Sequence, residues 1–537
     1  LVCRVNNSEV NSETPFFPTT RHDPIIVIGA GIGGLAAALS LAAAGHAVHV
    51  LERAAMPGGK MRQIDGVDAG PTVLTMRWVF DALFEAAGTR IADHLTLVRQ
   101  DVLARHFWQD GSVLDLFADH DRSVEAIRAM SGPKGAAEFD AFSARARRLF
   151  AAFRDPMMLA ADPDPLALTR RVATDPRLLL DMAPWRSLDG LLRQGFTDHR
   201  LRQLFGRYAT YIGGDPARVP ALLALIWDAE ASGVWAVDGG MTALAATLAR
   251  LLEGFGAEIS CDTHVARIVT DGDGVTGVET RDGRYVRAAQ ILFNGDPRAL
   301  STGALGDDMR RAIPDLTDAP RALSANVWSF RARISGPDLV HHNVFFRDDP
   351  RPEFDALSKG ANAPDPTVYL CAEDRGIGHP VPEAERIELI VNAAPLGRSP
   401  SAPEDFAACQ TRTFAALARH RLTVDPMPGP ENLATPQDFA TLFPESRGSL
   451  YGQSPHGLTA ALSRPRARTR IPGLYLCGGG THPGPGVPMA ALSGRHAAAA
   501  IMTDRASTSR SRPMATRGGM STASATTAAG PSRSSPS

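Results

Sequence analysis

The first strong pattern along the chain is a block of apolar residues punctuated by glycines. Residues 25–28, Ile-Ile-Val-Ile, are apolar on both faces and too few for a helix, which predicts a buried strand. A glycine cluster follows, then a helix over 35–44 that Gly45 ends, then a second strand over 47–51. Taken as one piece, 25–51 is long and apolar enough to suggest a membrane span. Its turn residues, its short elements and the polar His46 and His49 favour strand–helix–strand. Further along, the pattern predicts a helix over 241–252, strands at 257–259 and 265–268, and a strand at 291–293 that runs into Asn294-Gly295-Asp296. The stretch 120–230 reads as helical, broken by Asp-Pro turns at 155–156, 162–163 and 175–176. Strands at 325–334, 340–347, 367–372 and 387–393 suggest an antiparallel sheet. An apolar strand and glycine loop within 470–480 leads to an Ala-rich helix over 488–501. No internal repeat is visible.

Composition narrows the class. Of 537 residues, 44% are hydrophobic and 21% charged, which is ordinary globular usage and excludes collagen, coiled coil and wholesale disorder. The 49 glycines and 40 prolines exceed the usual share and imply many turns. A net charge of −2 gives no field that would draw the chain to nucleic acid. That balance averages two unlike parts. Residues 505–537 hold five arginines, no acid and 14 Ser or Thr, and are expected to be disordered, as is a leader over 1–23. No basic region followed by an apolar run marks a signal peptide. The five cysteines have no CxxC spacing, which disfavours zinc ribbons and fits a reducing cytosol.

The candidate chemistry sits at both ends. Gly29-Ala30-Gly31-Ile32-Gly33-Gly34 carries G-x-G-x-x-G at Gly29, Gly31 and Gly34, between a predicted strand and a predicted helix. The glycines serve a tight turn, backbone approach to a pyrophosphate and close helix–strand packing; the helix N-terminus faces the phosphates. Glu52 ends the next strand, where an acid would hold ribose hydroxyls. A buried structural turn is the alternative. After Arg53 come Gly58-Gly59-Lys60-Met61 and Asp68-Ala69-Gly70-Pro71-Thr72. At the far end Gly478, Gly479 and Val487-Pro488-Met489 open a helix whose N–H groups would face an electron-rich cofactor edge. No G-x-S-x-G, HExxH or Cys/His nucleophile motif is present.

This arrangement resembles the FAD-dependent amine oxidases, protoporphyrinogen oxidases and carotenoid desaturases. The blocks LRQLFGRYATYIGG at 201–214, GVWAVDGGMTAL at 233–244, GSLYGQSPHG at 448–457 and THPGPGVPMAALSGR at 481–495 are most similar to bacterial desaturases of acyclic 1-hydroxylated or 1-methoxylated carotenoids. The resemblance implies an α/β fold: a discontinuous Rossmann-like FAD-binding domain with an interleaved substrate domain, an antiparallel sheet plus a helical region. The FAD-binding pieces are expected at 24–110, 236–300 and 461–504. The helical, membrane-facing region is expected at 111–235 and the substrate sheet at 301–460.

The resemblance also implies FAD, insertion of a 3,4 double bond by hydride transfer, a carotenoid drawn from the membrane, and peripheral attachment on its cytoplasmic side. Quinone or O2 would accept the electrons. The glycine pair and Lys60, which stands where many relatives carry Arg, would lie over the diphosphate. Val265 would contact the adenine through its backbone. Asp296 is either near the cofactor or a helix N-cap. Arg207, Tyr208 and Tyr211 are candidates to steer the hydroxylated end or receive a proton, with helix packing the alternative. His482 reads as a loop hydrogen bond. No metal is expected at His341-His342 or Asp119-His120-Asp121, whose spacing lacks a third convergent ligand. A phytoene desaturase, a flavin carotenoid isomerase, an amine oxidase and a non-redox isoprenoid-binding protein of the same fold remain alternatives.

Overall fold

A computed structural model describes residues 23–397 and 404–510. Apart from Asp23, the leader lies outside the described residues, as do 511–537 of the tail.

Five short parallel strands build one sheet, in the order Leu474–Leu476, Gln290–Phe293, Ile25–Ile28, Val48–Leu51, Glu258–Ser260. The central strand is apolar at every position because both faces are covered, by helices on the Ile25 and Val27 side and by an antiparallel meander on the Ile26 side. The helix Ile32–Ala43 packs between the helix Met241–Gly254 and the C-terminal helix Val487–Arg510. The apolar block at 25–51 is therefore strand–helix–strand, and among the described residues no helix is long and apolar enough to cross a membrane. A three-stranded antiparallel meander, Val265–Thr270, Val275–Thr280 and Tyr285–Arg287, flanks the sheet.

The second sheet runs Thr423–Asp425, Ser324–Ser335, Glu385–Ala393, Val368–Ala372, His342–Phe345, Val102–Phe107, Val113–Phe117. Its neighbours are antiparallel except His342–Phe345 with Val102–Phe107. The hairpin 102–117 thus belongs to this sheet. The expected boundary at 110 falls inside it, in the turn between its two strands, and the Phe107–Phe345 ring stack at 4.7 Å joins it to His342–Phe345.

The helical region holds His120–Phe153, kinked at Gly132-Pro133, and the short helices Pro165–Thr174 and Pro176–Met182. Asp164 and Asp175 cap the last two, each followed by a proline at the first turn. At the other end, the C-terminal helix continues through 505–510, where disorder is expected from composition. Asp504 anchors that turn: it pairs with Arg468 at 2.9 Å and accepts from Tyr475 at 2.8 Å. Arg505 reaches Gln290 at 3.1 Å.

Candidate functional site

The first strand delivers the chain into Gly29, whose φ of 97° suits glycine. At Gly34 a Cβ would stand 2.2 Å from the Gly29 carbonyl oxygen, so only glycine lets the first helix begin against the strand. No side chain caps that helix, which leaves its N–H groups for an anion. Glu52 braces the loop: its carboxylate accepts the Ala30 N–H at 2.7 Å and the Ala54 N–H at 2.8 Å. Gly59 lies on Gly31, and Asn294 donates to the Gly29 carbonyl at 3.1 Å. The Cys477 thiol in turn donates to Asn294 at 3.4 Å, tying the N-terminal glycine loop to the C-terminal one.

These loops open on one cavity of about 1510 Å³. Of the cofactor contacts expected from sequence, Gly29, Gly31, Glu52, Arg53, Gly58, Gly59, Lys60, Met61, Gly70, Pro71, Thr72, Val265, Asp296, Gly478, Gly479, Val487, Pro488 and Met489 all line it. Ala30 and Gly34 lie just behind the wall. The same cavity runs on between the short helices, where Phe153, Met157, Leu168, Leu179, Met182 and Leu222 make it apolar.

Two polar groups interrupt the walls. In the first, the Lys60 ammonium donates to the Leu450 carbonyl at 2.5 Å, 5.3 Å from the centre of the Phe443 ring. Burial pushes it down to about 8 against the pull of Asp296, with Arg321 and Arg464 adding repulsion. Asp296 pairs with Arg321 and also accepts the Arg298 N–H at 3.0 Å, so it caps the turn after its strand. Arg464 donates to the carbonyls of Tyr451, Gly479 and Gln453.

The second group is built on the helix His199–Gly206 and the tight turn Arg207–Ile212 that continues it. Arg207 donates to the Tyr211 hydroxyl at 3.0 Å. Tyr211 and Tyr208 donate to the two oxygens of Glu230, at 2.6 Å and 2.7 Å. Burial works against the Arg207 charge, but Tyr211, Glu230 and Tyr208 outweigh it and hold the guanidinium cationic. Arg207, Tyr211 and Glu230 line the cavity; Tyr208 is fully buried behind them. Tyr208 is therefore a support for Glu230 and not a group facing the cavity. Thr72 and Tyr369 share a hydrogen bond at 2.8 Å, and the Tyr369 ring centre lies 6.0 Å from the Arg207 guanidinium.

His482 also lines the cavity, and its ring bonds the Ala160 carbonyl at 2.9 Å, the loop hydrogen bond read from sequence. His120 pairs with Asp140 at 3.0 Å, and Asp119 caps a helix. His341 and His342 do gain a third neighbour that spacing hides, because Cys371 stands opposite His342 on the next strand. Their ligand atoms lie within 4.8 Å of one another. Hydrogen bonds organise them: His341 donates to the Arg375 carbonyl at 2.7 Å and faces the Cys371 sulfur at 3.6 Å, while His342 meets the Tyr369 hydroxyl at 2.6 Å. Beneath Gly70 lies a buried acidic cluster, Asp68, Glu373 and Glu388, that no sequence motif announces. Burial, then Asp68, pushes Glu373 up to about 8; burial, then Asp68 and Glu373, raises Glu388 strongly.

Comparison with known proteins agrees with this geometry. Residues 32–329 match the family of flavin containing amine oxidoreductases. A hydroxyneurosporene desaturase of Cereibacter sphaeroides is 54% identical over 90% of this chain and 99% of its own. One of Rhodobacter capsulatus is 48% identical over the same shares. Among solved structures, a putrescine oxidase superposes with a TM-score of 0.57 at 16% identity, covering 90% of this chain and 99% of its own. A fatty acid isomerase from P. acnes gives 0.55 at 14% identity, over the same shares. These two speak for the fold alone. The chain belongs to the flavin containing amine oxidoreductases and, within them, to the carotenoid desaturases of carotenoid biosynthesis.

Proposed function

We propose that the protein introduces a 3,4 double bond into acyclic carotenoids carrying a 1-hydroxy or 1-methoxy group, with FAD as its flavin. The observation that carries the reading is the near full-length identity to hydroxyneurosporene desaturases. The cavity supports it. About 1510 Å³ exceeds an ordinary small-ligand pocket and joins an anion-ready glycine cradle to a long apolar arm. Bound FAD would supply the acceptor for one hydrogen and its electron pair as hydride, while the neighbouring carbon loses the other as a proton and the C3–C4 π bond forms. The chain's part is to hold and to keep dry. Backbone N–H groups at Gly31–Gly34, the Gly58-Gly59 turn and Lys60 would hold the diphosphate, and Glu52 the ribose. Val265, which lines the same cavity, would contact the adenine through its backbone. The apolar arm excludes water from a polyene that spreads the developing positive charge.

To test this, anaerobic protein reconstituted with FAD is mixed with 1-hydroxyneurosporene in liposomes. Bleaching of the flavin band, followed by a red-shifted carotenoid spectrum once quinone or O2 is admitted, is the expected result. No bleaching and no shift with any acceptor overturns the reading.

The route of entry belongs to the same proposal. Leu166 and Leu180, on short helices whose Leu168, Leu179 and Met182 line the cavity, and Trp185, in the turn after them, are 67%, 61% and 60% exposed. Arg170, Arg171 and Arg177 are exposed beside them, the composition of an interfacial surface. This edge would rest on the cytoplasmic face of the membrane and admit the carotenoid. The triple variant Leu166→Ser/Leu180→Ser/Trp185→Ser is expected to lose most sedimentation with anionic vesicles while keeping its flavin. Unchanged sedimentation refutes this docking edge.

A further inference from the structure

A side chain in the apolar arm stands out because it is charged and only partly partnered. Arg207 forms no ion pair among the described residues, and Glu230 beside it spends both oxygens on tyrosine hydroxyls. The guanidinium makes one hydrogen bond, through Nη2 to Tyr211, and its Nε is buried without a partner. Such a group costs stability unless something else completes it. It lines the cavity, whose wall here also includes the apolar Ile212, Leu222 and Ile226. Through Tyr369 it also adjoins Thr72, in the Gly70–Thr72 segment assigned to the cofactor.

A carotenoid hydroxylated on C1 carries a polar atom close to the bond that reacts. A 1-hydroxyl oxygen is three bonds from C3, so a group that holds it must sit beside the cofactor and not at the far end of the arm. We propose that Arg207 receives the oxygen on C1 and so sets C3–C4, instead of another bond of the polyene, at the reacting position. This rests on the carotenoid reading above. Tyr211 and Glu230 are positioning residues: the relay from guanidinium to phenol to carboxylate fixes the fork and balances its charge inside an apolar wall.

The experiment compares 1-hydroxyneurosporene with neurosporene, the same polyene without the hydroxyl, on wild type, Arg207→Gln, Arg207→Lys and Tyr211→Phe. Binding is read by quenching of bound-flavin fluorescence, turnover by absorption, and the bond formed by product chromatography. Arg207→Gln is expected to lose about 10- to 100-fold in kcat/KM on the hydroxylated substrate, the worth of one charge-assisted hydrogen bond, and little on the other. Arg207→Lys should keep part of the preference, since an ammonium still donates but without the fork. Flavin content and melting temperature separate this from misfolding; if the Gln variant does not fold, the Lys variant is read. A folded variant with the wild-type preference overturns the role of Arg207 alone. Wild type that is inert to the hydroxylated carotenoid overturns the functional reading and this proposal with it.

Discussion

Replacing Gly494 by alanine is expected to cost the protein its bound flavin and about 3 kcal/mol or more of stability, the upper range for forced overpacking. Gly494 lies inside the C-terminal helix, where alanine is the better helix former by roughly 1 kcal/mol. Propensity alone therefore predicts a gain. Packing reverses the sign. A Cβ on Gly494 would stand 2.1 Å from the Gly33 carbonyl oxygen and 3.0 Å from the Ala37 amide nitrogen. Both are backbone atoms of the first helix, so no side chain can swing aside. The two helices must part, and each carries half of the proposed cofactor cradle at its N-terminus: Gly31–Gly34 on one, Val487–Met489 on the other. Gly254→Ala, at a helix end with nothing within 4 Å, is the control and should be neutral or slightly stabilising. Flavin absorbance per protein and urea denaturation of both variants decide the matter. A Gly494→Ala protein that melts with wild type and keeps its flavin would show that the helix spacing has slack.

The contrast between these two glycines marks how far the sequence could be read. Elements buried on both faces were legible because short runs of consecutive apolar residues leave few alternatives, as at 25–28 and 291–293. The glycine motifs were legible because close backbone contact admits no other residue. The boundary expected at 110 splits the hairpin 102–117 between the FAD-binding and helical pieces, because its partner strand, His342–Phe345, is more than 200 residues away and nothing local encodes the pairing. The same distance hid the partners of the polar groups. Arg207, Tyr208 and Tyr211 could be named from one block. Glu230, Tyr369 and Thr72, which decide what each can do, come from three other segments. Cys371 joins His341 and His342 only through strand register. Arg321 and Arg464 sit in stretches with no motif at all, yet they surround Asp296.

That cluster carries the second large effect. Asp296 is the anion facing Lys60, Arg321 and Arg464, and its Arg321 partner is almost wholly buried. Asp296→Asn keeps an oxygen to cap the Arg298 N–H but removes the charge, and should cost about 3–5 kcal/mol, as for other buried pairs cut on one side. Arg321→Met should cost less, because the carboxylate keeps Lys60 and Arg464 as neighbours. The double variant should cost less than the sum of the two, since it removes both an unbalanced anion and a surplus cation. Part of the Asp296→Asn deficit must titrate. Lys60 is already held down to about 8, below its unfolded value, and losing Asp296 lowers it further. A lysine depressed in the folded state penalises folding most where it would otherwise be protonated. The share of the deficit due to Lys60 is therefore full below the variant's lowered value, fades as pH rises from there to the wild-type value of about 8, and is gone by about pH 9. Urea denaturation of the flavin-free proteins at pH 7 and pH 9 reads both claims. Arg321→Met proving the costlier variant, or an Asp296→Asn deficit that grows with pH, would mean that the carboxylate does not neutralise this end of the cavity.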